Sequence, residues 1–142
     1  MKFILSIVLA LLLNGLQHSF CQSRLMKSIY FEKGSSKVNK KYTTLLKGLA
    51  DKIRSDSCSI IRIIGYADPT GSKDYNEYIS ENRANAVYHS LLSYVKIDIT
   101  KIRVHIESNG DSDEWYDLHL KGAHIRQRCV DIVLEFVEPG TP

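Results

Sequence analysis

This chain lacks the signatures of the common catalytic and nucleic-acid-binding classes. It has no Gly-x-Ser-x-Gly elbow, no Walker loop and no Cys-x-x-Cys pair. His89, His105, His119 and His124 do not fall at metal-ligand spacing. The acidic run Asn109-Gly110-Asp111-Ser112-Asp113-Glu114 lacks the central Gly and terminal Glu of a calcium loop, so it reads as a solvated loop. Nothing assembles a nucleophile, a base and an oxyanion site. No catalytic residue, metal or cofactor is therefore expected, and the chain is read as a non-enzyme. Charge of one sign is also missing. The 19 Lys and Arg against 16 Asp and Glu give no concentrated basic field, which argues against a nucleic-acid partner. Nor is there an internal repeat, a low-complexity tract or a Pro/Ser linker, so 142 residues fit one domain.

The one long apolar run, Phe3 to Leu13, falls short of the roughly 20 residues that span a bilayer. Met1-Lys2 before it and the more polar Asn14 to Cys21 after it give the build of a secretory leader. Ser19 and Cys21 are small residues at −3 and −1 of a cut before Gln22. Residues 1–21 are thus expected to be a signal peptide, 22–137 the domain and 138–142 a short tail. Phe20 beside Cys21 departs from the small residue that a lipoprotein peptidase reads, which argues against a lipid anchor there. Loss of Lys2 with the leader leaves 18 basic and 16 acidic residues, a net charge of +2. Cys58 and Cys129 remain, and an oxidising compartment invites a disulfide between them.

Periodicity supplies the element order. Met26 to Phe31 alternates as a strand, and Glu32 to Asn39 is a Gly/Ser loop. Tyr42, Leu45, Leu46, Leu49, Ala50 and Ile53 form one helical stripe within Lys40 to Arg54. The β-branched run Ile60, Ile61, Ile63, Ile64 suits a central strand covered on its faces. A bend over Gly65 to Ser72 leads to a second helix, to about Ser93, with Ala84, Val87, Tyr88 and Leu91 as its buried stripe. Ile102 to Glu107 and Cys129 to Val137 read as strands. The segment between them is irregular, with one helical turn expected around Trp115 to Leu120. The order predicts a two-layer α/β sandwich: strand, helix, strand, helix, strand, loop, strand, with a mixed four-stranded sheet and both helices on one face.

Function concentrates at the bend. Asp68-Pro69-Thr70-Gly71 is good turn chemistry in its own right. Yet a turn at the carboxyl end of a buried strand is where open α/β sheets place ligands. Asn76, Ser80 and Arg83 follow at i, i+4 and i+7, a polar row beside the apolar stripe. That spacing puts Arg83 at the boundary of core and solvent. Arg binds carboxylates with a planar fork, an Asp accepts from an ammonium, and a helix N-terminus near Ser72 favours an anion. Together these suit a zwitterionic amino-acid head.

The stretch Gly65-Tyr66-Ala67-Asp68, then Gly71, Tyr75-Asn76, Ile79-Ser80 and Arg83-Ala84, resembles the peptidoglycan-binding signature of OmpA-like C-terminal domains. The likeness extends over about residues 26–137. It implies that Asp68 and Arg83 grip the free end of diaminopimelate in a peptidoglycan stem peptide, with Thr70, Asn76 and Arg128 assisting. It further implies a bacterial periplasmic or outer-membrane-associated setting, with peptidoglycan as partner and outer-membrane or other envelope proteins as further contacts. Tyr66-Ala67 stands where the family has His-Thr, Gly34 lacks a side chain often used in the first loop, and Cys129 replaces an arginine of the last strand. These departures leave an alternative, a protein-interaction or scaffold domain of the same fold without cell-wall binding. The same placement of Arg128 beside Asp68 makes the second and last strands antiparallel. Cys58 and Cys129 then lie at opposite poles, too far apart for a bridge.

Overall fold

The computed structural model describes residues 22–56, 58–96, 99–110 and 127–137. The expected leader, the acidic run from Asp111, the expected turn around Trp115 to Leu120 and the tail lie outside these residues. β1 spans Gln22–Tyr30, a 3-10 turn Lys40–Tyr42, α1 Thr43–Ser55, β2 Cys58–Gly65, α2 Lys73–Leu92, β3 Arg103–Ser108 and β4 Cys129–Val137. A second 3-10 turn, Ile99–Lys101, precedes β3. The strands form one sheet in the order β1-β4-β2-β3. β4 is antiparallel to both β1 and β2, while β2 and β3 run parallel across the α2 crossover. The mixed α/β sandwich expected from the element order is the fold observed.

The sheet order explains the sequence of β4. As a central strand it buries Val130, Ile132, Leu134 and Phe136 into the core and Val133 on the opposite side. A strand covered on both sides cannot keep a strict polar alternation. β2 contributes Ile61 and Ile63 to that core, and β1 contributes Ile29. Against them pack Leu46, Leu49, Ala50 and Ile53 of α1 and Ala84, Val87 and Leu91 of α2. Each such aliphatic side chain stabilises by about 1.5–3 kcal/mol when withdrawn from water.

Helix starts follow from capping. Asn39 caps the 3-10 turn, its side chain accepting from the Lys41 N–H at 2.9 Å. Ser72 caps α2 by accepting from the Tyr75 N–H at 3.3 Å, with Asp74 in the first turn where the helix dipole favours an acid. Gly65 ends β2 where the strand meets α2 most closely. A Cβ there would collide with the Ser80 carbonyl, so only glycine lets the helix sit this low on the sheet. β1 begins four residues before the expected Met26, because Gln22 to Leu25 already pair with Leu134 to Val137.

Cys58 and Cys129 are not bonded to each other. Cys58 lies opposite Phe136, seven residues along β4 from Cys129. That is about 24 Å at strand rise, against the 7 Å or so a disulfide tolerates. Burial pushes the half-buried Cys58 thiol up to about 11.

Candidate functional site

The carboxyl end of β2 opens into a small cleft of about 100 Å³. Lys33 and Gly34 line it from the loop after β1, Ala67, Asp68 and Thr70 from the bend, Tyr75, Asn76, Ile79 and Arg83 from α2, and Arg128 from the approach to β4. All five residues singled out from the sequence, Asp68, Thr70, Asn76, Arg83 and Arg128, therefore meet around one space. The antiparallel pairing of β2 with β4 is what brings Arg128 there.

The turn reading of Asp68 and the ligand reading are compatible. Its Oδ1 accepts from the Thr70 N–H at 2.9 Å, which closes the turn and aims the carboxylate. Its Oδ2 stands 3.7 Å from Arg128 Nη1, with side-chain exposures of 12 and 16 %. Gly71, at φ +129°, takes a backbone conformation that other residues rarely adopt, next to Asn76 Oδ1. The bend therefore reaches the head of α2 without a side chain in the way.

Arg83 departs from the expected boundary position. It is only 2 % exposed, and Asn76 and Ser80 of the same row are buried with it. The Arg83 guanidinium donates from Nε to the Ser35 carbonyl at 2.9 Å and from Nη1 to the Tyr66 carbonyl at 3.1 Å. A longer contact runs from Nη2 to the Glu32 carbonyl at 3.4 Å. The Phe31 ring lies beneath it at 5.4 Å. Arg83 thus ties the loop after β1 to the end of β2 while one face still lines the cleft. Burial pushes its pKa down, and Arg128 adds to this, while Tyr75, Cys129 and Asp68 oppose it. Ser80 plays a parallel structural part. Its hydroxyl bonds to Ser108 Oγ and the Glu77 carbonyl and accepts from the Gly110 N–H, holding α2 to the end of β3.

Arg128 carries a further feature. Its Nε is buried and has no hydrogen-bond acceptor among the described residues. An N–H left so is costly, by about 1–3 kcal/mol, and here it belongs to a side chain that lines the cleft. Lys33 and Tyr75 are cleft residues that the sequence reading did not single out. Tyr75 stands in the Tyr-Asn pair of the signature, so its place was available in the sequence. Lys33 lies in a loop with no periodic signal.

A four-stranded mixed sheet with two helices on one face, carrying a cleft of opposite charges at the end of β2, defines an α/β domain of mixed-sheet type. The model of the OmpA family matches residues 30–127, and the chain belongs to that family. Outer membrane protein 41 of Porphyromonas gingivalis is 34% identical over 88 residues, which are 62% of this chain and 22% of that protein. The match to Omp38 of Acinetobacter baumannii is 27% over 74 residues, 52% of this chain and 21% of that one. The chain thus spans about a fifth of these relatives. Among solved structures, the peptidoglycan-associated lipoprotein of Burkholderia pseudomallei superposes with TM-score 0.66 at 27% identity, over 76% of this chain and 89% of that one. The periplasmic domain of Helicobacter pylori MotB shares the fold, with TM-score 0.63 at 15% identity over 87% of this chain and 80% of that one. Among the described residues no helix is long and apolar enough to cross a membrane.

Proposed function

We propose that this domain binds peptidoglycan non-catalytically, by holding the zwitterionic end of a diaminopimelate-type stem peptide in the cleft at the end of β2. Asp68 takes the ammonium. Arg128 and the cleft-facing side of Arg83 take the carboxylate, with Thr70 and Asn76 at the walls. One observation carries the reading: an acid and two arginines line a single space of about 100 Å³. Pockets that engulf a drug-sized ligand run to about 300–1,000 Å³. This one admits a chain end and not a glycan. The setting that fits is the bacterial cell envelope, reached by a leader at residues 1–21. In support, the structural relative at 27% identity is a peptidoglycan-associated lipoprotein.

A scaffold role without cell-wall binding is the second reading. It is favoured by the Asp68–Arg128 pair and by the protein carbonyls that already occupy Arg83, since both charges are partly satisfied within the fold. Calorimetric titration separates the two. Diaminopimelate, or a stem peptide ending in its free zwitterion, gives saturable heat on the first reading, and peptide-free glycan gives none. Heat from glycan alone, or from neither, contradicts the proposal.

A further inference from the structure

The face of the sheet opposite α1 and α2 carries a second, separate cleft of about 610 Å³. Arg24 and Met26 of β1, Ile64 of β2, Tyr66, Asn109, and Asp131 and Val133 of β4 line it. Strand register makes this one continuous surface. Asp131 lies between Ser28 and Ile64, and Val133 between Met26 and Arg62. Asp131 is only 4 % exposed. Its Oδ1 accepts from Ser28 Oγ at 2.6 Å, and among the described residues that is its one hydrogen bond.

A carboxylate buried in this way is costly unless a cation or several donors complete it. Among the described residues the nearby cations do not. Arg62 pairs with Glu135 at 3.4 Å. Arg24 sits opposite Glu135, four residues along β1 from Ser28, about 13 Å away at strand rise. Among the described residues Asp131 thus has no cationic partner, and the Tyr66 hydroxyl, kept neutral by burial, stands nearby. Beside them the walls are aliphatic or thioether: Met26, half exposed at 51 %, Ile64 and Val133. Met adapts its shape to a flexible guest.

We propose that this cleft binds a primary ammonium on an unbranched alkyl chain. Asp131 receives the charge, Tyr66 assists, and Met26, Ile64 and Val133 pack the stem. The same chemistry is found in a lysine side chain of a partner protein and in a free diamine. Proton–nitrogen spectra of the labelled full chain test this with three probes: Nα-acetyl-lysine N-methylamide, 1,5-diaminopentane and neutral 1-pentanol. Saturable shifts centred on Met26, Ile64, Asp131 and Val133 are expected from the ammonium probes and not from pentanol. Tighter binding of the lysine derivative assigns the cleft to a protein partner, and tighter binding of the diamine to a free polyamine. Asp131→Asn should weaken the binding at least tenfold and leave sacculus binding unchanged. Met26→Trp, at an exposed position, should block the mouth with the carboxylate intact and remains decisive if the Asn variant does not fold. Equal response to pentanol, no response to any probe, or unchanged affinity in Met26→Trp overturns the proposal.

Discussion

Arg83→Ala separates a residue that holds the fold together from one that only touches ligand. The wild-type guanidinium is 2 % exposed and makes two well-formed bonds to main-chain carbonyls, at 2.9 and 3.1 Å, with a third contact at 3.4 Å. Alanine leaves the carbonyls of Ser35 and Tyr66 without their donors and a hole above Phe31. Hydrogen bonds to a charged group contribute about 1.5–3 kcal/mol each. Two such bonds together contribute about 3–6 kcal/mol. A loss of about 3–6 kcal/mol is therefore expected, a large share of the roughly 5–15 kcal/mol that holds a domain of this size. Urea denaturation followed by circular dichroism reads it as a fall in midpoint with the slope preserved. Arg83→Lys, which keeps a charge but not the fork, should recover only part of the loss. An alanine variant within 1 kcal/mol or so of wild type would refute the tie between the loop after β1 and the end of β2.

Three further outcomes follow from the same geometry. Asp68→Ala should cost about 2–5 kcal/mol of ligand affinity, as expected when one partner of a desolvated charge pair is removed, while calorimetric unfolding shows about 1 kcal/mol or less of lost stability. Gly65→Ala should destabilise by about 1–3 kcal/mol or more, the usual cost of overpacking, because its Cβ meets the Ser80 carbonyl; an unchanged melting temperature would contradict that close approach. Burial pushes the Asp131 carboxyl above its ordinary 3.8, the Ser28 bond opposing it. The native state therefore holds this proton more tightly than the unfolded chain. That stability is fully present below the ordinary value and is lost as pH rises through the folded one. Asp131→Asn should melt at a higher temperature than wild type at pH 7, with the difference shrinking toward pH 3; a difference independent of pH would contradict it.

Much of the fold was legible because its cues are periodic. The bounds of β4, Cys129 to Val137, and the α1 stripe of Leu46, Leu49, Ala50 and Ile53 follow from hydrophobic spacing alone. The separation of Cys58 from Cys129 followed once Arg128 was placed beside Asp68. What escaped the sequence is a matter of polar burial. Asn76, Ser80 and Arg83 form a polar row whose spacing puts Arg83 at the boundary of core and solvent, yet all three are buried. The partners of Ser80 and Arg83 include main-chain groups of Ser35, Tyr66 and Gly110 and the Ser108 hydroxyl, which no periodicity reveals. The second cleft was missed for a related reason. Asp131 interrupts an apolar strand, and no periodicity reveals that it is buried.

The central claim is that the cleft around Asp68 holds the cell-wall peptide. Co-sedimentation of the purified domain with diaminopimelate-containing sacculi, wild type beside Asp68→Ala, tests it most directly. The account predicts that wild type pellets with the sacculi and that the folded Asp68→Ala variant stays in the supernatant. Equal pelleting of the two, or a wild type that never pellets, would contradict it.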